Sequence, residues 1–268
     1  MRKNWVLFTI SLQDAFSERG SAVVWAFLDF LWPFVNLFIW VGIYQGQGGE
    51  STTIGGFSLS QMLTYYLGVA LISATAVSHQ EYEIIRDIQS GDLSNYLLKP
   101  LSYIKFQLVT SISWKILKGM IILPFILLAA FIFKNYIDFN LTPATTLVFI
   151  GVLIFSFLLY FLNAFIFGLL TFWVDEPGGF IEMNEIARSL FSGMALPLAF
   201  LPWPFSVISN ILPYRYFYDF PLRILSGRIE NSDILNGLLA QLGWLLIFYC
   251  IYKVLWRRGI SRYSAFGG

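Results

Sequence analysis

Cysteine, histidine and charged residues are scarce in this chain. Its 268 residues include one cysteine, Cys250, and one histidine, His79. A disulfide framework and a zinc site made of clustered His and Cys are therefore excluded within a single chain. Only 12% of the residues are charged, which is about half the share found in soluble domains. A water-facing surface cannot be built from so few charges, so much of the surface must face lipid.

Signatures of several enzyme classes are also missing. The sequence has no G-x-x-x-x-G-K-[ST] loop, so the chain does not bind ATP in the manner of P-loop proteins. It has no G-x-S-x-G elbow of the kind that serine hydrolases use. The net charge of +1 gives no basic surface for nucleic acid. We therefore expect a non-catalytic chain with no metal site, no cofactor of its own and no nucleic-acid partner.

Long apolar runs make up most of the sequence. The composition is 57% hydrophobic and 19% aromatic, and Trp and Tyr collect at membrane–water interfaces. A helix needs roughly 20 mostly apolar residues to cross the hydrocarbon core. Five clear runs and one compound run lead to six predicted spans: 21–44, 59–79, 113–133, 143–173, 181–202 and 233–255. The sequence therefore predicts an all-α polytopic membrane protein with six transmembrane helices, which form a single domain.

The N-terminal segment 3–19 is amphipathic rather than uniformly apolar. Its large apolar residues recur at helical spacing: Trp5, Phe8, Leu12 and Phe16. This pattern predicts a helix that lies in the membrane interface, and the alternative is an extension of the first span. Asp14 and Glu18 interrupt the apolar pattern, which also argues against a cleavable signal peptide.

Residues 205–228 are apolar but cannot hold a full span. Prolines and charges interrupt them at Pro213, Arg215, Asp219, Pro221 and Arg223. We predict two short half-helices that dip into the outer leaflet, where irregular backbone needs protein around it. The aromatic residues of this segment are expected at headgroup level: Tyr214, Tyr216, Phe217, Tyr218 and Phe220.

The distribution of Lys and Arg predicts the orientation. Most of these 17 residues fall in the segments that share one side of the membrane with both termini. Cytoplasmic loops carry an excess of Lys and Arg. We therefore expect a multi-pass protein of the inner or plasma membrane with both termini in the cytoplasm.

The polar stretch at 80–105 contains a short amphipathic helix at 81–91. Ile84, Ile85 and Ile88 share one side of it, and Gly91 suits a C-terminal cap. An apolar face with neither lipid nor core to cover needs a partner. The helix therefore either lies on the bilayer or docks a cytosolic partner, and the residues alone leave these alternatives even.

Asp29 is the charged residue that lies deepest in a predicted span. A charge at that depth costs at least about 2.5–3.5 kcal/mol, so it should face protein or water. Asp29 and Asn36 are candidate residues of a transport pathway: Asp29 either lines the pathway, where it would suit a cationic substrate, or pairs with a basic group near the inner gate. The alternative is a structural polar contact near Pro33 and Asn36. Two further pairs have simpler expectations: Lys115 and Lys118 reach the headgroups, and Glu185 and Arg188 pair locally on one helix.

Three groups of residues carry a resemblance to a known family. The first follows the second span: Ile85-Arg86, Ser90-Gly91, Leu93, Leu97-Leu98 and Pro100. The second runs from the fifth predicted span to the segment before the sixth: Ser192-Gly193, Pro197, Leu212-Pro213, Pro221 and Gly227. The third is C-terminal: Trp256, Arg257, Gly259, Tyr263 and Gly267-Gly268. In this order and spacing they resemble the permease subunits of type-2 ABC exporters, most closely a branch of six-helix subunits of about this length.

The resemblance implies a division of roles along the chain. The helix at 3–19 would pack beside a motor, and the residues of a coupling helix at 81–91 would contact it: Glu81, Ile84, Ile85, Arg86, Ile88 and Gly91. The half-helices at 205–228 would close the outer end of the pathway with an outer gate: Pro213, Arg215, Asp219 and Pro221. ATP and Mg would bind to a separate ATPase subunit, and a second permease chain, identical or related, would complete the transporter.

Two other functions remain as alternatives. An ion-coupled secondary transporter should show several charged residues inside the membrane and inverted repeats, whereas Asp29 stands alone at depth. A membrane enzyme that modifies lipids or glycans should show clustered His, Asp or Arg at one interface, and Arg215, Asp219 and Arg223 are the nearest approach to this. The favoured expectation is a permease that exports a small hydrophobic or amphipathic substrate.

Overall fold

The computed structural model describes residues 2–49, 51–137 and 142–263. All regular elements in these ranges are helices, which confirms the all-α class. In chain order they are α1 (Arg2–Ser17), α2 (Arg19–Gly46), α3 (Leu59–Ala76), α4 (Gln80–Gln89), α5 (Leu93–Leu97), α6 (Tyr103–Ile132), α7 (Pro143–Leu169), α8 (Gly178–Phe191), α9 (Phe205–Ile211), α10 (Asp219–Leu225) and α11 (Asn231–Ile260). The Gly267-Gly268 pair that contributes to the family resemblance lies outside the described residues.

Five helical segments of the described ranges are long and apolar enough to cross a bilayer. They contain α2, α3, α6, α7 and α11, and the α3 segment continues into α4. Their number and length define a multi-pass membrane protein. The α6 helix begins at Tyr103, well before the predicted start at residue 113. Lys115 and Lys118 therefore lie well inside this helix and not in its first turn.

The predicted span at 181–202 is wrong in its extent. Helix α8 ends at Phe191 after 14 residues, a length of roughly 21 Å, which is less than the roughly 30 Å of a hydrocarbon core. Gly193 follows at φ +91°, a conformation that glycine adopts far more readily than other residues. Pro197 then prevents the helix from resuming at once. The apolar sequence continues past this point, but the helical conformation of the backbone does not.

Residues 205–228 form short helices instead of a span. Helices α9 and α10 flank a 3₁₀ turn at Pro213–Tyr216. Of the aromatic residues predicted at headgroup level, Phe217, Tyr218 and Phe220 are buried in the protein core and do not face outward. The Tyr218 hydroxyl shares a 2.9 Å hydrogen bond with the Ser73 hydroxyl of α3. Helix α10 is therefore inserted among other helices, as irregular backbone in a membrane requires.

Helix α3 is the centre of the bundle. Nearly all of its side chains are buried, which agrees with a helix that is apolar on every side. It packs against α2, α6, α7 and α10. Its Gly68 makes room for α10, because a Cβ at this position would lie 2.5 Å from a methyl group of Leu222. A capping box between Ser58 and Gln61 fixes where the helix begins.

Helix α1 packs on α6 through a face other than its apolar stripe. Its buried residues are Ser11 and Ala15, whereas Trp5 and Phe16 of the predicted apolar stripe are exposed. An exposed apolar stripe beside a polar one suits a helix that lies in a membrane interface. The helix ends at Ser17 and α2 begins at Arg19, so a single residue, Glu18, separates the two helices, and the interfacial position of α1 stays a prediction.

Candidate functional site

The apolar side of α4 is covered within the chain. Ile84 is fully buried and Ile88 nearly so, because α4 packs along α7. Gly168 of α7 permits this approach: a Cβ there would lie 2.9 Å from the Cβ of Ile84 and 3.2 Å from the Cα of Glu81. The expectation that this apolar face needs an outside partner is therefore wrong.

The side of α4 that faces away from the bundle is polar and aromatic. Tyr82, Arg86 and Gln89 are exposed, and Ile85 is half-buried. The Arg86 guanidinium pairs with the Glu83 carboxylate on the same surface. Among the predicted coupling residues, Ile85 and Arg86 therefore lie on the accessible side, while Glu81, Ile84 and Ile88 connect α4 to the bundle.

Two further contacts fix α4 and the turn after it. The Asp87 carboxylate accepts hydrogen bonds from the Tyr103 hydroxyl at 2.7 Å and from the Gln107 amide at 3.1 Å, both on α6. Gly91 has φ +83°, which suits the predicted C-terminal cap. The Tyr263 hydroxyl donates to the Gly91 carbonyl at 2.9 Å. Helix α4 is thus held by α6, by α7 and by the residues after α11.

Arg188 joins α8 to the start of α4. Its Nη2 donates to Oε1 of Glu81 at 3.0 Å, and the side chains are 3% and 1% exposed. Arg188 also pairs with Glu185 one turn earlier, as predicted, and its guanidinium lies 4.6 Å from the centre of the Tyr160 ring. The sequence shows the local pair but not the link to Glu81, because the two residues are 107 positions apart.

His79 completes this cluster. Its Nδ1 lies 3.8 Å from Glu81 Oε1 and 3.6 Å from Glu185 Oε1. The ligand atoms of these three residues lie within 4.8 Å of one another, as a metal site would require. Arg188 already bonds the same two carboxylate oxygens. The arrangement is therefore that of a buried ion-pair network between α4 and α8.

A second polar contact continues from α8 toward the 3₁₀ turn. Asn184, one turn before Arg188, donates to the Asn163 side-chain carbonyl at 3.0 Å. Its own side-chain oxygen accepts from the Tyr214 hydroxyl at 2.9 Å. Hydrogen bonds and one helix therefore connect the start of α4 with the turn at Pro213–Tyr216, which begins the predicted outer gate.

The predicted gate residues lie in the segment that follows α8, and this segment contacts α8 on both sides of Arg188. Pro213 and Pro221 are buried, and Arg215 Nη2 lies 3.5 Å from Asp219 Oδ2. The Asp219 amide donates to the Ser192 carbonyl at 2.8 Å. Helix α10 is thus attached directly to the break that ends α8.

The two predicted pathway residues have separate partners. Lys118 Nζ of α6 lies 2.9 Å from Asp29 Oδ2 of α2, and both side chains are 19% exposed. Asn36 donates to the Trp32 carbonyl on its own helix at 2.9 Å. Lys118 lies roughly 22 Å along α6 from the first residue of that helix, and its ammonium is paired with Asp29; that it lies at headgroup depth stays a prediction. Lys115 donates to the Val77 carbonyl.

These features define a class of protein before any comparison is made. Long apolar helices, a short amphipathic helix packed into the bundle and irregular backbone before α11 are features of a polytopic membrane protein. Residues 30–267 match the model of a family described as ABC-2 family transporter protein. The chain belongs to this family, which confirms the resemblance and makes it a membrane component of an ABC transporter. The comparisons with curated proteins and with solved structures found no match.

Proposed function

We propose that this chain is the permease subunit of an ATP-driven exporter and that a separate ATPase subunit drives it through α4. The observation that supports this most is the buried Glu81–Arg188 ion pair, with its 3.0 Å hydrogen bond. A buried ion pair is expensive to desolvate and contributes little net stability, whereas breaking one by removing a partner is strongly destabilising. Such a pair is well suited to hold two helices in a fixed relation while they move together.

The exposed side of α4 would receive the motor. Tyr82, Arg86 and Gln89 offer an aromatic ring, a charge and an amide to a cytosolic surface. Because Ile84 is packed against α7 at Gly168, a push on α4 would move α7 with it. The ion pair would carry the same displacement into α8.

From α8 the displacement would pass to the outer gate. Asn184 and Tyr214 connect α8 with the 3₁₀ turn, and Asp219 is bonded to the end of α8. A shift of α8 along its axis would therefore move α10 relative to α3. In this scheme Pro213, Arg215, Asp219 and Pro221 act as a gate through the position of their segment, and no covalent chemistry takes place in the chain.

The substrate class follows from the walls that such a pathway would have. The Asp29 carboxylate is paired with the Lys118 ammonium, and the Asn36 amide donates its hydrogen bond within α2. A pathway beside these residues would present aromatic and aliphatic side chains and little uncompensated charge. We propose a small hydrophobic or amphipathic substrate, carried outward across an inner or plasma membrane with both termini of the chain in the cytoplasm.

A second permease chain, identical or related, would cover the face that α8 leaves open. The exposed apolar residues of α8 form one stripe: Phe180, Met183, Ile186 and Leu190. The non-helical segment after α8 is also open, with Leu196 and Trp203 exposed. Backbone of this kind is tolerated at membrane depth only where protein or a water-filled cavity surrounds it. A partner permease against α8 would provide that environment.

Co-purification from native membranes tests the proposed ATPase partner. The full chain, solubilised in mild detergent, should retain a protein with a P-loop, and the complex should hydrolyse ATP. The double change Tyr82→Ala with Arg86→Ala should reduce this retention, and Arg258→Ala, an exposed change on α11, should leave it unaltered. Equal retention by both variants would contradict docking at α4. Transport that follows a proton or sodium gradient without ATP would favour the secondary transporter instead.

A further inference from the structure

A polar cavity of 410 Å³ lies at the outer gate, beside the loop that precedes α3. Its walls come from α10, α9, the segment around Pro197 and the loop at residues 55–57. Arg228 shows at which end of the bundle the cavity lies, because Nη2 of this residue donates to the Gly56 carbonyl at 2.6 Å. Gly56 precedes α3, whereas α4 follows α3, so the cavity is at the end of the bundle remote from α4.

The charges that line this cavity do not balance. Arg215, Arg223 and Arg228 all line it, and Asp219 is the one carboxylate among the described lining residues. Asp219 is engaged by Arg215 at 3.5 Å. In the part of the chain that the structure describes, no carboxylate lies within 4.0 Å of Arg223 or Arg228. The lining therefore carries an excess of positive charge in a space partly shielded from water.

Two arginine N–H groups of this lining are also buried without an acceptor. Nε of Arg215 and Nη1 of Arg228 are inaccessible and make no hydrogen bond among the described residues. Arg228 is held in place by its bond to Gly56 and by the Phe57 ring, whose centre lies 3.8 Å from the guanidinium carbon. A buried donor without an acceptor is costly to maintain. These two guanidinium groups therefore keep unused hydrogen-bonding capacity beside the cavity.

The rest of the lining indicates the shape of the ligand. Apolar side chains of Phe57, Leu198 and Leu222 face the same space as the arginines. Arginine binds carboxylate and phosphate groups with paired hydrogen bonds. We propose that this cavity binds an amphipathic organic anion, with its phosphate or carboxylate group at Arg223 and Arg228 and its apolar part against Leu198 and Leu222. The proposal concerns binding and stands apart from the ATP-driven transport proposed above.

Titration with a defined anion tests this site. The full chain in a neutral detergent is titrated with hexyl phosphate, and with hexyltrimethylammonium as a probe of opposite charge. Only the phosphate should bind, and more weakly as salt is added. The double change Arg223→Gln with Arg228→Gln should weaken binding by about tenfold or more, whereas Arg262→Gln, exposed and remote from the cavity, should leave it unaltered. Equal affinity in the two variants, or equal binding of both probes, would overturn the proposal.

A second variant keeps the test decisive if the double change prevents folding. Asp219→Asn removes the competing carboxylate and should strengthen hexyl phosphate binding, and a loss of binding in this variant would contradict the site. Nanodiscs then separate two sources of the anion. If phosphatidylglycerol in the disc weakens hexyl phosphate binding relative to phosphatidylcholine, the natural ligand is a lipid headgroup. If the affinities are equal, it is a soluble organic anion. Absence of binding in both discs would overturn the proposal.

Discussion

Arg188 of α8 donates a hydrogen bond from Nη2 to Oε1 of Glu81 at 3.0 Å, with both side chains almost fully buried. Glu81 belongs to α4, the helix proposed to receive the motor. Arg188 belongs to α8, the helix proposed to pass the movement on to the gate. The same guanidinium also pairs with Glu185. A single arginine thus connects the two parts of the chain whose movements the proposed transport cycle requires to be linked.

The first prediction concerns this ion pair. Glu81→Ala leaves the Arg188 guanidinium buried with one carboxylate partner fewer, and it should destabilise the chain by about 3–5 kcal/mol. The double change Glu81→Ala with Arg188→Met should recover part of that loss, because the unpaired charge is then absent. Thermal unfolding of the purified chain in detergent measures both. Glu83→Ala is the matched control: its exposed pair with Arg86 should contribute at most about 1 kcal/mol. Additive losses in the double variant would show that the two residues do not interact.

The second prediction concerns the contact between α4 and α7. Gly168→Ala places a Cβ 2.9 Å from the Cβ of Ile84, so α4 must shift, at a cost of about 1–3 kcal/mol. We expect a lower unfolding midpoint and weaker retention of the ATPase. Gly151→Ala on the same helix meets nothing within 4 Å and should leave both measurements unchanged or slightly improved. If Gly168→Ala and Gly151→Ala behave alike, α4 is not held in the way that the structure indicates.

The third prediction concerns Asp29 and Lys118. Asp29→Asn leaves the Lys118 ammonium without its counter-charge inside the membrane, where a lone charge costs at least about 2.5–3.5 kcal/mol. The yield of folded protein should fall, and combining it with Lys118→Met should restore the yield. Size-exclusion profiles of the solubilised variants provide the measurement. Unchanged export by an assembled Asp29→Asn protein would also remove Asp29 from the proposed pathway.

The fourth prediction concerns the link between α8 and the gate. Tyr214→Phe removes the hydroxyl that donates to Asn184 at 2.9 Å and should destabilise the chain by only about 1 kcal/mol. Export should fall much more than stability, because the proposed connection to the gate is lost. Tyr249→Phe, on the exposed side of α11, serves as the control. Export at the normal rate in Tyr214→Phe would show that the gate moves without this hydrogen bond.

The long helices could be predicted from the sequence because crossing a bilayer imposes a length and an apolar composition. The end of α8 could not, since the apolar run continues past Phe191 and only the backbone conformation of Gly193 shows the break. The sequence shows the amphipathic pattern of α4. It does not show that Gly168 of α7 leaves room for the Ile84 side chain. A period in the sequence shows that a face is apolar and does not show which surface covers it.

Charged pairs within the membrane were the least predictable part. Asp29 and Lys118 are 89 positions apart, and no local spacing relates them. The apolar run of α6 indicates a start near residue 113, whereas the helix begins at Tyr103, so Lys118 lies about four turns along it. Long-range pairing depends on which helices are neighbours, and this is decided by packing across the whole bundle.

Transport in proteoliposomes tests the central claim most directly, namely that an outside ATPase drives this chain through α4. Vesicles are prepared with the chain alone, with its co-purifying ATPase, and with the ATPase and the Glu81→Gln or Glu83→Gln variant. The account predicts ATP-dependent movement of an amphipathic dye only when both proteins are present, near-complete loss of transport but retained ATP hydrolysis with Glu81→Gln, and normal transport with Glu83→Gln. Transport by the chain alone, without any nucleotide-hydrolysing partner, would contradict it.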